Sequence, residues 1–433
     1  MLFSIVVSLI VCLSIVVTSV VKPNIHIKNI KLNLYWIIAL VGGILILATS
    51  KLSFSEWWNA LTRKDSINPI QILILFLSMS LISIFLDEVG FFSHLANWTL
   101  KKVKSSQFTL FIVLYAFVSI LTMFTSNDII ILTLTPFILF FCKNAKISPI
   151  PYIVSEFIAA NTWSMIFIIG NPTNIYLASS FNITFIDYFK VMAIPTLLTG
   201  ITEFIILLLV FKKRLSKKLE PTPINLPKQN MVLTTIGITI LVICTVLLVI
   251  SGYVDIPMYL ISAISFGCLF ITSMMYYLIS RTKPNEIVSS LKRGPYEIVP
   301  FIIGMFTLVL ALEKFEVTNK IASFFGNSYP TLVYGYSSAL SSNLVNNIPM
   351  SVLYSSICAF ADPSIRLSAI YASIVGSNIG AFISPLGALA GIMWLNILKK
   401  NEVKFTYIDF VKYGLIVGIP SITVTLFSLI LFL

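Results

Sequence analysis

The sequence predicts an all-α polytopic membrane protein made of two inverted-topology repeats, each with five spans and one re-entrant hairpin. Three observations lead to this fold class. The chain of 433 residues is 58% hydrophobic and only 11% charged, whereas soluble domains carry about 25% charged residues. Apolar stretches of about 17–25 residues, enough to cross a hydrocarbon core of about 30 Å, follow one another along the chain. Phrases of the first half recur in the second, so we expect about 10 spans and 2 hairpins in all.

The apolar stretches begin close to the first residue. Leu2–Val20 lacks a preceding basic segment and a small-residue cleavage site, so we expect it to stay as the first membrane helix. Ile70–Leu86, Val232–Ile250 and Val411–Leu433 are further stretches of spanning length. No soluble domain interrupts the series, and we therefore expect one membrane domain overall.

The clearest internal repeat is a phrase near the end of each half. It reads TFIDYFKVMAIP at Thr184–Pro195 and TYIDFVKYGLIVGIP at Thr406–Pro420. The offset is 222 residues, from Asp187 to Asp409. Such a match over half the chain length indicates a duplicated unit rather than a chance likeness.

The duplication divides the chain into a first repeat at residues 1–212, a charged linker at 213–230 and a second repeat at 231–433. Because five spans is an odd number, the second repeat must lie upside down relative to the first. Most of the 29 Lys and Arg residues then fall on the side of the linker, which the positive-inside rule makes cytoplasmic. We expect a multi-pass protein of a bacterial cell membrane with both termini outside.

Two pairs of shorter apolar arms meet at polar residues. They are Leu110–Phe124 with Ile129–Cys142 in the first repeat, and Leu332–Leu340 with Ile348–Ala361 in the second. These arms are too short, or too polar at their junction, to be ordinary spans. We expect re-entrant hairpins with tips at membrane depth, where non-helical backbone is tolerated only inside protein or beside a watery cavity.

Asn, Ser, Thr and Gly residues cluster at the two tips and at two interrupted spans. The interrupted spans read AANTWSMIFIIGNPTN at Ala159–Asn174 and GSNIGAFISPLGAL at Gly376–Leu389. Half-helix ends carry partial charges that can hold ions and polar solutes, whereas close helix packing is the alternative role for any one of these residues. The predicted substrate- or ion-binding residues are Ser126, Asn127, Asp128, Asn161, Gly170, Asn171, Thr173, Asn174, Ser342, Asn343, Asn346, Asn347, Ser377, Asn378, Ser384 and Gly387.

One carboxylate, Asp128, lies at the tip of the first hairpin, where its equivalent in the second is Asn347. An ionisable group at membrane depth costs at least about 2.5–3.5 kcal/mol, so it is a functional candidate by default. We expect Asp128 to couple transport to H⁺ or Na⁺, and capping of the second hairpin arm is the alternative role. Glu156, which begins the first interrupted span, is a second candidate for coupling. We expect no cofactor other than the coupling ion.

The chain carries little other chemistry. The five cysteines are scattered, and the motifs of metalloproteases, serine hydrolases and P-loop ATPases are absent. We therefore expect neither an enzyme nor a metal site. The net charge of +12 borders the spans, so we expect a lipid bilayer and no nucleic acid as partner. The assigned spans leave no Lys or Arg in the membrane core, which favours a neutral polyhydroxy solute or a cation over a multiply charged anion.

The sequence resembles the arsenite/antimonite efflux permeases and their relatives in the ion-transporter superfamily, which include NhaD-type antiporters and divalent-anion/sodium symporters. The phrases FLDEVGFF, SNDIIILTLTP, SSNLVNNIP and GSNIGAFISPLGALAGIMWLNILKK carry this resemblance over nearly the whole chain. It implies a core that moves against a scaffold, a homodimer and, for an arsenite pump, a cytoplasmic ATPase subunit. The residues that it places at substrate and coupling ion are Asn127, Asp128, Gly170, Asn174, Asn346, Asn347, Asn378 and Gly387.

Three functional hypotheses stay open. The first is proton-coupled efflux of arsenite or antimonite as the neutral trihydroxide. The second keeps the fold and makes the chain a sodium- or proton-coupled carrier of carboxylates or inorganic anions, or a sodium/proton antiporter. The phrase GNPTNIYL and the Ile129–Ile131 run favour this second hypothesis. The third, an integral-membrane enzyme or scaffold, requires a reactive constellation or a partner surface that the sequence does not contain.

Overall fold

The computed structural model describes residues 2–21, 24–27, 30–49, 52–62, 68–101, 106–216, 229–254 and 256–433. These residues are helical except for turns and one antiparallel hairpin of two strands. Eight of the described helical segments are long and apolar enough to cross a membrane. The all-α membrane fold predicted from the sequence is confirmed, and the strand hairpin is an addition to it.

The first half of the chain contains ten α-helices and the strand hairpin among its described residues. The strands are β1 (Asn24–Ile27) and β2 (Ile30–Asn33), with Asn24 opposite Asn33. The helices are α1 (Leu2–Val21), α2 (Leu34–Ala48), α3 (Phe54–Thr62), α4 (Pro69–Glu88), α5 (Phe91–Lys101), α6 (Gln107–Phe124), α7 (Asn127–Asn144), α8 (Ile150–Trp163), α9 (Pro172–Ser179) and α10 (Phe185–Leu215).

The second half repeats this order helix by helix. Its helices are α11 (Met231–Val254), α12 (Met258–Ser280), α13 (Asn285–Arg293), α14 (Ile298–Lys314), α15 (Val317–Phe325), α16 (Pro330–Val345), α17 (Asn347–Phe360), α18 (Arg366–Gly380), α19 (Leu389–Lys400) and α20 (Tyr407–Ile430). Each helix from α1 to α10 therefore has an equivalent ten places later.

The last helix of each half begins with the same cap. Thr184 accepts a hydrogen bond from the backbone N–H of Asp187 at the start of α10, with 3.2 Å between the atoms. Thr406 does the same for Asp409 at the start of α20, at 3.1 Å. A Thr cap satisfies one of the N–H groups that a helix start leaves free. The repeated T-x-x-D phrase thus sets the same helix boundary twice.

These two equivalent helices run antiparallel along each other. The hydroxyl oxygens of Thr199 and Thr425 are 2.5 Å apart, and twelve residues further along α10 the ring of Phe211 contacts that of Tyr413, which lies twelve residues earlier in α20. Because the helices are equivalent in sequence and opposite in direction, this contact has the arrangement of an inverted repeat.

Helices of one half pack on those of the other in reciprocal pairs. Helix α2 contacts α14 as its equivalent α12 contacts α4, and α7 contacts α19 as α17 contacts α9. Ion pairs follow the same pattern, because Lys314 of α14 pairs with Glu56 of α3 at 2.9 Å while Arg293 of α13 pairs with Asp87 of α4 at 2.7 Å. Neither half could bury its apolar faces without the other.

The structure differs from the sequence-based expectation in two respects. The arms of the first hairpin, α6 and α7, have 18 residues each and are long enough to cross a membrane. Helix α6, which Ser106 caps, begins at Gln107, three residues before the predicted start at Leu110. The short helices α3 and α13 were not predicted. Most of the linker, residues 217–228, lies outside the described residues, so the division at 213–230 stays a prediction.

Close packing of α2 on α14 depends on glycine. A Cβ atom on Gly304 would lie 2.5 Å from the backbone of Ala39, and one on Gly43 would lie 3.2 Å from the Cα of Gly304. Small residues let helix backbones approach in membranes, where apolar burial alone does not drive association. This contact joins the two halves of the chain.

We predict that Gly304→Ala destabilises the protein, because the added methyl group overlaps the α2 backbone and overpacking typically costs about 1–3 kcal/mol. Gly267→Ala is the matched control, since nothing lies within 4 Å of its Cβ position in α12. Thermal unfolding of both variants in detergent measures the effect. A Gly304→Ala melting temperature equal to that of Gly267→Ala would contradict the packing described.

Candidate functional site

The first interrupted span is broken between Trp163 and Pro172. Helix α8 ends at Trp163, a single 3-10 turn covers Ile168–Gly170, and α9 starts at Pro172. Asn171 caps the new helix by accepting from the backbone N–H of Thr173 at 3.2 Å. Pro suits the first turn of a helix, because it has no N–H to satisfy there. The phrase GNPTN therefore ends the 3-10 turn and starts α9.

The amide of Asn378 holds this break against the second half of the chain. Its nitrogen donates to Asn174 Oδ1 at 2.6 Å, and its oxygen accepts from Asn171 Nδ2 at 2.8 Å and from Ser164 Oγ at 3.1 Å. Asn174 in turn donates to the carbonyl of Ser164 at 2.8 Å. All four side chains are at most 1% exposed. Asn378 of α18 thus satisfies polar groups that the break in α8–α9 leaves free.

Two further contacts extend this buried network. The hydroxyls of Thr173 and Ser377 are 2.9 Å apart. At the tip of the first hairpin, Asn127 Nδ2 donates to Asn161 Oδ1 at 3.0 Å. The Oδ1 atom of Asn127 is buried and accepts no hydrogen bond from the described residues. The network therefore ends in a carbonyl oxygen that is free to bind a donor or a cation.

The second hairpin tip is fixed to the second interruption in a different way. Asn346 adopts φ +74° between α16 and α17, a conformation that costs a residue other than Gly about 1–3 kcal/mol. Its side chain accepts from Ile348 N at 3.3 Å and donates to Leu386 O at 3.3 Å. The backbone N–H of Asn347 donates to Gly387 O at 3.0 Å. Asn343 accepts from Ser384 Oγ at 2.6 Å beside this tip.

The two predicted glycines act in packing. A Cβ atom on Gly387 would lie 2.5 Å from Gly380 O, and one on Gly170 would overlap the carbonyl of Ser164. Ser342 lies under the same turn and donates to Ala339 O at 2.8 Å. The close approach of backbone segments at both breaks requires residues without side chains. These glycines therefore shape the site, and their part in binding stays a prediction.

A cavity of about 430 Å³ lies beside the first hairpin tip. Ser126, Asp128, Ile129 and Leu132 of the first tip and α7 form one wall of it. The other walls come from α19, from α4, from the start of α17, from the junction of β2 with α2 and from the region where α13 leads into α14. The residues on those walls include Asn33, Tyr35, Ser80, Ile84, Arg293, Glu297, Ile348, Met393 and Asn396.

The charges on the described cavity wall are predominantly acidic. Asp128 is half-buried and makes no hydrogen bond or ion pair with other described residues. Glu297 accepts from Asn33 Nδ2 at 2.6 Å and from Tyr35 OH at 3.1 Å. Arg293 pairs with both Asp87 and Glu88 of α4. Among the residues that the structure describes, no cation forms an ion pair with Asp128 or Glu297.

The expectation of no Lys or Arg in the membrane core stays a prediction, and the Arg293 guanidinium reaches the cavity wall, where its ion pairs with α4 hold it. One sequence-based alternative is corrected here. Capping was the alternative role of Asp128, but Ser126 occupies the N-cap position of α7 and Asp128 lies two residues further on, facing the cavity. A carboxylate in the first turn is still stabilised by the helix dipole.

The structure divides the predicted site residues into three groups. Ser126 and Asp128 line the cavity. Asn127, Asn161, Asn171, Thr173, Asn174, Ser377 and Asn378 form the buried network, and Ser342, Asn343, Asn346, Asn347, Ser384, Gly170 and Gly387 hold the tips and breaks. Glu156 is 1% exposed, away from the cavity, and accepts from Thr135 Oγ1 at 2.8 Å. Their roles in binding stay predictions.

Sequence reasoning missed several residues of the cavity wall. Asn33 and Tyr35 lie where β2 leads into α2, Arg293 and Glu297 lie where α13 leads into α14, and Asn396 lies in α19. One signal was present, because Glu297 comes two residues after Pro295 and directly before the apolar helix that starts at Ile298.

Comparison with known proteins finds relatives along nearly the whole chain. Residues 2–376 match the family model described as citrate transporter (CitMHS). An arsenical pump membrane protein of Escherichia coli is 26% identical over 415 residues, 91% of each chain. A putative arsenical pump membrane protein of Bacillus subtilis is 24% identical and covers 88% of this chain and 90% of its own length.

Among solved structures, the chain is similar to the YdaH transporter of Alcanivorax borkumensis, a crystal structure described as revealing an unusual topology. The TM-score is 0.58 at 13% sequence identity, over 99% of this chain and 96% of that one. At this identity the likeness concerns the fold alone.

We predict that Asn378→Leu destabilises the protein strongly, because it leaves Asn174 Oδ1 and Asn171 Nδ2 buried without partners. Each such group costs about 1–3 kcal/mol. Asn401→Leu removes only one exposed side-chain hydrogen bond, to Ile397 O, and is the matched control. Thermal unfolding compares the two variants with the wild type, and equal melting temperatures for both variants would contradict the role assigned to Asn378.

Proposed function

We propose that this chain, which belongs to the citrate-transporter family, exports arsenite or antimonite as the neutral trihydroxide in exchange for protons. That the chain is a membrane transporter follows from the family. The observation that carries the finer proposal is the unpaired carboxylate of Asp128 in an acidic cavity at a hairpin tip. The printed names of the relatives in Escherichia coli and Bacillus subtilis support the choice of solute.

The charge of the cavity favours a neutral solute. Asp128 and Glu297 repel an anion, and Arg293 is already paired with two carboxylates. A trihydroxide carries three O–H donors, and ionised carboxylates are acceptors only. The solute therefore matches this wall by donating hydrogen bonds, and the amide of Asn396 and the hydroxyls of Ser80 and Ser126 supply further polar contacts.

Asp128 is the coupling group in this proposal. An ionised carboxylate at membrane depth is costly. The conformational change that moves Asp128 from one side of the membrane to the other therefore requires Asp128 to be protonated or in contact with a hydroxyl-donating solute. Solute and proton then compete for the same oxygen atoms, and each displaces the other on opposite sides of the membrane. This competition is sufficient to link the two flows. Glu156 is buried against Thr135 and away from the cavity, so the solute would contact Asp128 before Glu156.

The cavity separates two groups of helices that can move relative to each other. Helices α7 and α19 carry Asp128 and Asn396, α4 carries Ser80, and Glu297 directly precedes α14. Arg293 and the end of α19 belong to segments that the positive-inside rule places in the cytoplasm, so this conformation is open inward. Movement of the hairpins and broken helices against α4 and α14 would expose Asp128 to the other side.

The family description favours a second candidate, a carrier of carboxylates or inorganic anions driven by Na⁺ or H⁺. In that case a cation bound by Asp128 and Glu297 would have to neutralise the cavity before an anion entered. A sodium/proton antiporter would use the same two carboxylates without an organic solute. An integral-membrane enzyme or scaffold has no support, because the relatives are transporters.

Further expectations from the sequence belong to the same proposal. The protein resides in a bacterial cell membrane as a homodimer, with the 213–230 linker in the cytoplasm and both termini outside. A cytoplasmic ATPase subunit would bind on the side of the linker. The coupling ion is the one cofactor that transport requires.

We predict that Asp128→Asn abolishes arsenite flux driven by a pH gradient in proteoliposomes, because the amide binds no exchangeable proton. Asp187→Asn makes the same chemical change at an exposed residue outside the cavity and should keep at least half of the wild-type rate. The measurement is the initial rate of arsenite movement with and without the gradient.

The substrate and the coupling are tested separately by this comparison. No arsenite flux through folded wild-type protein would discard arsenite and favour the carboxylate or sodium alternatives. Flux through Asp128→Asn that still responds to the gradient would assign the coupling proton to another group.

A further inference from the structure

Glu203 is a fully buried carboxyl group that the proposed transport cycle does not use. It lies in α10 and is 0% exposed. Its Oε1 atom accepts from Thr162 Oγ1 of α8 at 2.7 Å, and Ser421 of α20 lies beside it. Among the described residues, no Lys, Arg or His forms an ion pair with it.

The hydrogen bonds around Glu203 fit a neutral acid better than an anion. The Oε2 atom is buried and accepts no hydrogen bond from the described residues. Ser421 cannot supply one, because its hydroxyl already donates to Val417 O at 2.7 Å. An ionised carboxylate has about four lone-pair sites to satisfy, and here one donor, Thr162, serves them all.

A protonated carboxyl resolves this imbalance. Its own O–H is a donor, and the oxygen of Ser421 still has lone pairs that can accept it. The order of donation would then be Glu203 to Ser421 to the carbonyl of Val417, while Thr162 donates to the carboxyl C=O. Burial of a neutral acid with these contacts carries a far smaller penalty than burial of a charge.

Other titratable groups near Glu203 are few. Tyr115 of α6 faces it, and the Tyr115 hydroxyl donates to Gly200 O at 2.7 Å and accepts from Trp163 Nε1 at 3.4 Å. On α8 and α20 the facing polar residues are Thr162 and Ser421, neither of which is charged. The proton of Tyr115 is thus already used, and no described neighbour can hold a positive charge beside Glu203.

Glu203 also lies where α10 and α20, the equivalent last helices of the two repeats, meet. Its equivalent at the 222-residue offset is Thr425, and the equivalent of Thr199 is Ser421. The contact of Thr199 with Thr425 therefore becomes the contact of Glu203 with Ser421 when the repeats are exchanged. The second repeat has a hydroxyl where the first has a carboxyl, as it has an amide, Asn347, where the first has Asp128.

We propose that Glu203 is a second proton-binding site, separate from Asp128, which holds an exchangeable proton between α8, α10 and α20. Thr162 links this site to the buried network, because it follows Asn161, which accepts from the hairpin tip at Asn127. A shift of α8 that removed Thr162 from Oε1 would change how tightly the proton is held. The proton affinity of Glu203 would therefore depend on the position of the first hairpin.

The test is an infrared titration of the purified protein in detergent, without any transported solute. The difference between wild type and Glu203→Gln should show the C=O band of a protonated carboxyl at neutral pH, which disappears in alkaline buffer and shifts in D₂O. Gln is close in shape to the neutral acid, so this variant should fold. Asp187→Asn, with its exposed carboxylate, should leave the band unchanged.

A second variant covers the case that Glu203→Gln does not fold. Thr162→Val removes the donor that stabilises the anion more than the acid, so the band should persist to more alkaline pH than in the wild type. The titration is repeated in Asp128→Asn, where the band should remain whether or not Asp128 couples transport.

Three results would overturn the proposal. The band could be absent at neutral pH, which would mean an ionised Glu203. It could persist unchanged at every pH and in D₂O, which would mean a proton that never exchanges. It could also disappear in Asp128→Asn, in which case the two carboxyls would form one site.

Discussion

A helix interrupted at membrane depth leaves backbone and side-chain polar groups without water, and they must find partners inside the protein. This constraint governs the arrangement of the core. The break between α8 and α9 is satisfied by Asn378 from the opposite half of the chain, and the second break is held by Asn346 and by the backbone of Asn347. The repeats therefore depend on each other through hydrogen bonds at their centre as well as through close packing at Gly304.

The two repeats share their architecture and differ in charge. Helix order, helix caps and reciprocal contacts follow the duplication, yet the first repeat has Asp128 and Glu203 where the second has Asn347 and Thr425. If the second repeat copied the first exactly, Thr425 would also be a glutamate. Two carboxylates would then lie where α10 and α20 meet, and like charges repel. Because these two positions are acidic in the first repeat alone, one carboxylate lies at a hairpin tip facing the cavity and one is buried in the helix core, and each has its own surroundings.

The sequence predicts the helices, the repeats and the polar clusters well, because apolar length, the T-x-x-D phrases and the Asn-Gly-Pro breaks are local signals. It does not predict which clusters face water. Asn378 and Asp128 look alike in sequence as polar residues in apolar spans, but Asn378 is enclosed by three side chains of the other half while Asp128 faces a cavity. The cavity wall from Asn33, Arg293 and Glu297 depends on contacts between distant segments, which no local pattern reveals.

The proposed function is the exchange of a neutral solute for protons through an acidic cavity. The most direct test measures whether this exchange moves net charge across the membrane. Exchange of a neutral trihydroxide for H⁺ moves net charge. Arsenite flux through proteoliposomes with equal pH on both sides should therefore respond to an imposed membrane potential, and citrate should not compete. Arsenite flux that ignores the potential, or that citrate inhibits, would contradict the account and indicate an anion site in the same cavity.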